Sequence, residues 1–174
     1  ILSTGGTAMI LKSSGINITE ISDITGFPEM LDGRVKTLHP IIHAGILANR
    51  DKKTHMDKLK KYQISPIDIV VCNLYPFEKT IRKTNVFIEE VIENIDIGGP
   101  TLIRASAKNY KHVIILTKPE QYDKIHREIK TKKEVSIKLR EELAIDAFSH
   151  TAQYDSIISQ YFRKKWGDEI LPEN

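Results

Sequence analysis

Two short runs of β-branched and apolar residues constrain the fold more than any other feature of this sequence. Residues 67–74 read IDIVVCNL and residues 112–116 read HVIIL. Runs this short and this apolar are typical of strands covered on both faces. Amphipathic patterns at residues 52–62, 86–95 and 119–129 indicate helices between and beside them. Alternating strands and helices predict an α/β fold, with right-handed crossovers, a mostly parallel sheet and helices on both faces.

The first forty residues add further elements to this pattern. Residues 1–11 read as a strand, a glycine turn and a helix, which Gly15 is expected to end. The isoleucines of residues 16–21 suggest a second strand. Residues 26–40 contain two glycines and two prolines among irregularly spaced charges, which predicts a long loop. Pro40 is expected to open the next helix at its first turn.

The length of the chain and a long helical pattern near its end suggest the domain organisation. A chain of 174 residues favours one globular domain, with room for a terminal extension. Residues 136–162 predict a long helix. We therefore expect a main domain in residues 1–150, with a C-terminal helix and connector in residues 151–174. The abrupt start, without an initiator methionine, is interpreted as that of a fragment.

Composition excludes several classes of protein. Lys and Arg number 26 against 23 Asp and Glu, and this small excess is spread along the chain, so no nucleic-acid partner is expected. No apolar run approaches the ~20 residues of a membrane span, so we expect a soluble protein. The single cysteine, Cys72, permits no internal disulfide and no Cys-based zinc site, which suits the cytoplasm. His39 and His43 lack a local carboxylate or cysteine and are interpreted as ordinary helix-start residues, so no metal is expected.

A glycine turn at residues 3–7 is the first candidate site. Ser3, Thr4, Gly5, Gly6 and Thr7 stand where a strand is expected to meet a helix. Unobstructed backbone N–H groups, hydroxyl donors and a helix N-terminus are the components of a phosphate cradle. The turn lacks both the P-loop and the dinucleotide-binding glycine spacing. A tight structural turn explains the same residues equally well.

Two further segments hold groups that could act on a ligand. Arg34, Lys36 and Thr37 lie together in the predicted loop, although exposed charges of this kind are usually only solvated. Tyr75 follows the strand at residues 67–74, where ligands of open α/β sheets bind, but it could equally pack on the domain.

A break in the helical pattern supplies a carboxylate. Asp96 precedes two glycines and Pro100, after which a helix is expected to carry Arg104 and Lys108. A carboxylate and a cation in one crevice could run acid–base chemistry if burial shifts their pKa values. Each of these segments alone is a weak signal.

The order of these segments and their amino-acid sequences together resemble one family. The segments are STGGTA, TGFPEMLDGRVKTLHPIIHAGILANR, VVCNLYPF, IDIGGPTLIRASAKN and AFSHTAQYD. They resemble the inosine monophosphate (IMP) cyclohydrolase part of the bifunctional purine biosynthesis enzymes, which also carry an AICAR formyltransferase domain. The resemblance extends over residues 1–166, nearly the whole chain.

This resemblance implies a fold, a reaction and partners. The fold would be a methylglyoxal-synthase-like three-layer α/β fold, with the family's first strand and helix missing from this chain. The reaction would be the dehydrative ring closure of formyl-AICAR to IMP in a cytoplasmic homodimer, without a metal or redox cofactor. The cofactor 10-formyltetrahydrofolate would serve only the formyltransferase domain. Two rivals remain, a regulatory ligand-binding domain of the same fold and methylglyoxal synthase itself.

The resemblance also implies site residues. The catalytic group would comprise Lys36, Tyr75, Asp96 and Lys108. The nucleotide would contact Thr4, Gly5, Gly6, Thr7, Arg34, Lys36, Thr37, Cys72, Asn73, Asp96, Ile97 and Gly98. Asp96 would accept a proton from the carboxamide, Lys36 and Tyr75 would support charge on its oxygen, and a buried Lys108 with a lowered pKa would assist the departing formyl oxygen.

The C-terminal helical pattern presents one concentrated apolar face. It is formed by Ile157, Ile158, Tyr161 and Phe162 and is extended by Tyr154. Such a face must pack on something, either the chain's own sheet or a second subunit. The resemblance favours a second subunit.

Overall fold

Short parallel strands and nine helices make up the described part of the chain. The computed structural model describes residues 1–28 and 31–167, so the tail of the predicted connector lies outside the described residues. The strands are β1 (Leu2–Ser3), β2 (Thr19–Glu20), β3 (Ile69–Val71) and β4 (Ile114–Leu116). The helices are α1 (Gly5–Ser13), α2 (Ile21–Thr25), α3 (Pro40–Leu47), α4 (Lys53–Lys61), α5 (Phe77–Ile81), α6 (Ile88–Glu93), α7 (Gly98–Lys108), α8 (Tyr122–Lys132) and α9 (Ile137–Trp166).

All the strand pairs are parallel, as predicted. β1 pairs with β2 across the helix α1, with Leu2 opposite Thr19. β3 pairs with β4, with Val70 opposite Ile115. Among the described residues these are two separate two-stranded sheets, whereas the sequence predicted one sheet.

The two predicted buried strands differ in their surroundings. Every residue of β4 is buried, as expected. In β3 only Val70 is buried, while Ile69 is 41% and Val71 55% exposed. The expectation that both strands are covered on both faces is therefore wrong for β3.

The second predicted strand is shorter than expected because a helix begins inside it. Ile21 opens α2, so only Thr19 and Glu20 remain in a strand. Glu20 and Asp23 form a capping box, in which the Glu20 N–H donates to Asp23 Oδ2 at 3.2 Å. Local side-chain capping therefore prevails over the β propensity of the isoleucines.

Pro40 opens α3, as predicted. His39 caps this helix, since its Nδ1 accepts the Ile41 N–H at 3.2 Å, which matches its interpretation as a helix-start residue. The long C-terminal helix is also confirmed. In α9, Ser136 caps the first turn, and the helix ends at Gly167 with a φ of +90°. The boundary expected at residue 150 lies inside this helix.

The main core forms where α7 packs against α9, α3 and β4. Small buried residues on the helices, including Ala105, Ala107 and Ala147, let the backbones approach closely. Ile103 and Ile115 fill the centre and are almost completely buried. Within the described residues, no helix combines the length and the apolar character needed to cross a bilayer.

A second buried cluster, here called the Phe77 cluster, covers the apolar face of α9. Its members are Phe77, Val91 and Tyr154, with Leu74, Ile81, Val86, Ile95, Ile157, Ile158 and Tyr161 packed against them. Four of the five residues of the predicted dimerisation face therefore contact their own domain, and Phe162 stacks on Trp166. Helix α5, which was not predicted, covers part of this face, and the expected subunit contact through it stays a prediction.

Candidate active site

The glycine turn joins β1 to α1 and leaves the N-terminus of the helix accessible. The first intrahelical bond runs from the Ala8 N–H to the Thr4 carbonyl, so the N–H groups of Gly5, Gly6 and Thr7 have no partner inside the helix. A Cβ on Gly6 would find open space around it. These are the features of an anion site at a helix N-terminus, as the phosphate-cradle interpretation requires.

Lys36 lies directly over this turn. A Cβ on Gly5 would lie 3.3 Å from Lys36 Nζ. Gly5 also has a φ of +53°, a conformation that L side chains rarely adopt. The backbone therefore favours glycine at this position, and a side chain there would also crowd the Lys36 ammonium. The structure thus brings together the first two predicted segments, which are 31 positions apart in the sequence.

Thr37 extends the same loop to the start of α7. A Cβ on Gly98 would lie only 2.7 Å from Thr37 Oγ1. The 34–37 loop therefore bridges the glycine turn on one side and the first residue of α7 on the other. This contact places the cation of the loop and the helix that follows Asp96 in one region.

Asp96 is fixed against the first turn of α7. Its Oδ1 accepts the Gly99 N–H at 2.7 Å, and a carboxylate at a helix N-terminus is stabilised by the helix dipole. Cys72 approaches the same turn, with its thiol donating to the Gly99 carbonyl at 3.8 Å. Burial, reinforced by the charge of Asp96, raises the pKa of Cys72 to about 12. The thiol is therefore a neutral contact rather than a nucleophile.

The close packing of Gly99 predicts a large effect of a single methyl group. A Cβ there would clash with Asp96 Oδ2 and would lie 2.7 Å from Leu74 Cδ2. We expect Gly99→Ala to displace the carboxylate and to lower the free energy of unfolding by about 1–3 kcal/mol, the usual cost of overpacking. Urea titration measures this change.

Gly6→Ala is the matched control for this measurement. Because a methyl group at Gly6 meets open space, and alanine favours helices, Gly6→Ala should leave the stability unchanged or raise it by up to ~1 kcal/mol. Equal stabilities of Gly99→Ala and the wild type would contradict the packing described for Gly99.

Other predicted site residues have different partners or are exposed. The Arg34 guanidinium pairs with the Glu93 carboxylate of α6, with Nε 3.3 Å from Oε1. Asn73 Nδ2 donates to Tyr122 Oη at 3.4 Å. Tyr75 is 62% and Ile97 57% exposed. Neither is buried against the group formed by Lys36, Thr37 and Asp96.

Lys108 is separated from Asp96 by the length of α7. Gly98 begins this helix and Lys108 ends it, ten residues later, which corresponds to roughly 15 Å along the axis. Lys108 is exposed, so the expectation that it is buried is wrong. Its catalytic role rests on the resemblance and stays a prediction.

A cleft of about 320 Å³ opens beside the glycine turn. Thr4 and Lys36 line it together with mainly apolar side chains. The complete lining is Thr4, Glu20, Ile21, Ser22, Thr25, Phe27, Pro28, Leu31, Val35, Lys36, Leu38 and His39. This space adjoins the phosphate-cradle turn and has the size of a small-molecule site.

The sequence analysis missed the contact of Tyr154 with the Asp96 segment. The Asp96 N–H donates to Tyr154 Oη at 2.8 Å. A tyrosine on the apolar face of a helix is expected to be buried and to need a hydrogen-bond partner for its hydroxyl, and this was the signal that the sequence offered. The identity of that partner, 58 residues away in the sequence, could not be read from it.

Comparison with known proteins decides the family. Residues 1–101 match the family model of the MGS-like domain. The chain belongs to the MGS-like domain family. Residues 106–174 of this MGS-like chain match a second model, the AICARFT/IMPCHase bienzyme.

Relatives of the MGS-like chain carry a purine biosynthesis name, which confirms the resemblance seen in the motifs. Proteins named "Bifunctional purine biosynthesis protein PurH" are 54% identical in Acetivibrio thermocellus and 56% identical in Persephonella marina, in each case over 99% of this chain. The chain spans 34% of the length of both relatives. A solved structure titled "Crystal structure of ForH" matches with a TM-score of 0.81 and 31% identity, covering 92% of this chain and 84% of that one.

Proposed function

We propose that this chain is the IMP cyclohydrolase part of a bifunctional purine biosynthesis enzyme. The observation that carries the proposal is the convergence of three segments, the glycine turn, the 34–37 loop and the Asp96 turn, in one region. The names of the relatives support an enzyme over a regulatory domain of the same fold. The longer protein would also act as an AICAR formyltransferase, with 10-formyltetrahydrofolate as the cofactor of that activity alone.

The proposed reaction joins two groups already present on formyl-AICAR. The carboxamide nitrogen attacks the formyl carbon and a C–N bond forms. The formyl oxygen then leaves as water, which carries one proton from the carboxamide nitrogen and one from the formamide N–H, as the C=N bond of the new ring forms. Asp96 takes the proton from the nitrogen, while Lys36 and Tyr75 stabilise charge on the carboxamide oxygen. Lys108 assists the departing oxygen. Holding the two groups at attack distance supplies much of the rate enhancement without any metal or redox cofactor.

The direct test bypasses the formyltransferase step. The full-length protein is incubated with formyl-AICAR, and IMP is followed by its absorbance. We expect IMP to form much faster than in the absence of protein. Formation at the uncatalysed rate would refute the proposed function.

Replacement of Lys108 tests the most distant member of the proposed catalytic group. If Lys108 assists the departing oxygen, Lys108→Met should slow single-turnover ring closure. Because Lys108 is exposed and lies ten residues along α7 from Gly98, the affinity for IMP should change by less than about threefold, well under ~1 kcal/mol. Isothermal titration with IMP measures the affinity.

Lys111→Met, the matched control, removes a nearby exposed charge and should change neither the rate of ring closure nor the affinity for IMP. Wild-type turnover of Lys108→Met would exclude Lys108 from the catalytic group.

We also propose a cytoplasmic homodimer. Ile145 and Phe148 are 66% and 40% exposed on α9, outside the face covered by the Phe77 cluster, and they support a subunit contact there. Light scattering of the full-length protein at micromolar concentration is expected to give the mass of a dimer. A monomeric mass would contradict this proposal.

A further inference from the structure

Tyr154 of α9 makes its hydrogen bonds to the backbone that carries Asp96. Its Oη accepts the Asp96 N–H at 2.8 Å, and its hydroxyl donates to the Asn94 carbonyl at 3.5 Å. The side chain is only 7% exposed. A single tyrosine therefore holds both sides of the short connection between α6 and α7.

The ring of Tyr154 is itself held in place by the core. It packs edge-on against Phe77, with the ring centroids 6.2 Å apart and an interplanar angle of 71°. The helix that carries Tyr154 packs along α7, whose first turn binds the Asp96 carboxylate. Two adjoining helices thus fix Asp96 at two points, its main-chain nitrogen and its Oδ1.

Burial raises the pKa of Tyr154 above its usual value. The hydroxyl therefore stays protonated at neutral pH and keeps its proton for the Asn94 carbonyl. An aromatic ring without the hydroxyl would fill the same space but would leave the Asp96 N–H without this acceptor.

We propose that Tyr154 is a positioning residue for Asp96, and that its hydroxyl sets the place of the carboxylate that takes the proton in ring closure. The proposal rests on the proposed function of this site. With Oδ1 bound to Gly99, Oδ2 is the oxygen that receives the proton. A small displacement of a reacting group is costly, since about 1 Å can reduce a rate by a factor of 100.

The variant Tyr154→Phe tests the proposal because it keeps the ring and removes the hydroxyl. Single-turnover ring closure of formyl-AICAR by the full-length protein should be about tenfold slower, with the affinity for IMP within about threefold of the wild type. Tyr161→Phe is the matched control. Tyr161 also packs edge-on against Phe77, with the ring centroids 6.0 Å apart, and no hydrogen bond of its hydroxyl is found among the described residues. This control should keep the wild-type rate.

A second background separates positioning from a general structural effect. In an Asp96→Asn protein, Tyr154→Phe should cause no further loss of rate, because the group it positions is already inactive. The same tenfold loss in both backgrounds would show that Tyr154 acts independently of Asp96, and a wild-type rate of Tyr154→Phe would equally overturn the proposal.

Hydrogen exchange tests the contact without reference to activity. The Asp96 amide should exchange at least about tenfold faster in Tyr154→Phe, relative to the buried Ile103 amide in the same sample. Unchanged protection would overturn the positioning role even if the protein makes IMP. Failure of the wild type to make IMP, with faster Asp96 exchange in the variant, would instead refute the proposed function alone.

Discussion

An Asp96→Asn variant is expected to close the ring at least about 100-fold more slowly than the wild type, the usual contribution of a general base. Asparagine can still accept the Gly99 N–H through its amide oxygen and is as good a helix cap as aspartate, so the start of α7 should keep its structure. The replacement removes the negative charge and with it the capacity to take a proton. Single-turnover formation of IMP from formyl-AICAR measures the loss.

Asp57→Asn is the matched control, because it makes the same aspartate-to-asparagine replacement on the exposed side of α4. It should retain the wild-type rate of ring closure. Thermal unfolding of both variants checks that they fold. A rate for Asp96→Asn within about threefold of the wild type would show that Asp96 is not the proton acceptor.

A Lys36→Met variant is expected to lose both affinity and rate. Lys36 Nζ lies over the glycine turn, where its charge can stabilise a bound phosphate and a developing oxyanion. A hydrogen bond to a charged group is worth about 1.5–3 kcal/mol, so the Kd for IMP should rise by about tenfold or more. Ring closure at saturating substrate should slow by about 100-fold.

Lys58→Met, the matched control, removes an exposed lysine of α4 and should change neither the Kd for IMP nor the rate of ring closure. If Lys36→Met bound IMP as tightly as the wild type, the lysine would act in the chemical step alone. The comparison with Lys108→Met then distinguishes the two cations, because only Lys36 is expected to affect binding.

The sequence predicted the type of most elements but not their extent. The apolar run at residues 67–74 indicates a strand, yet only Ile69–Val71 forms one, with a single backbone hydrogen bond to β4 from Asp68 and from Cys72 on either side. Periodicity reports which side chains avoid water and does not report how far a partner strand extends. Helix α5 was not predicted, because a proline after an apolar run, here Pro76, commonly ends an element, although proline is also tolerated at the start of a helix.

The candidate site was predictable as a set of segments but not as a geometry. The contacts of Lys36 with the glycine turn and of Thr37 with Gly98 join parts of the chain that no local pattern connects. The pairing of Arg34 with Glu93 likewise spans 59 positions. For Lys108, helical rise alone limits how closely it can approach Asp96 along α7, and that limit could have been calculated once the helix was assigned.

The course of α9 determines how far the chain can be shortened. Its second half provides Tyr154, Ile157 and Tyr161 as the cover of Phe77 and Val91, which are 2% and 0% exposed. A fragment cut after residue 150 would present these two side chains to water and would release the Asp96 turn from its tyrosine. The shortest fragment that folds therefore has to include this half of the helix, and a protease cut within it would loosen the Asp96 turn without touching it.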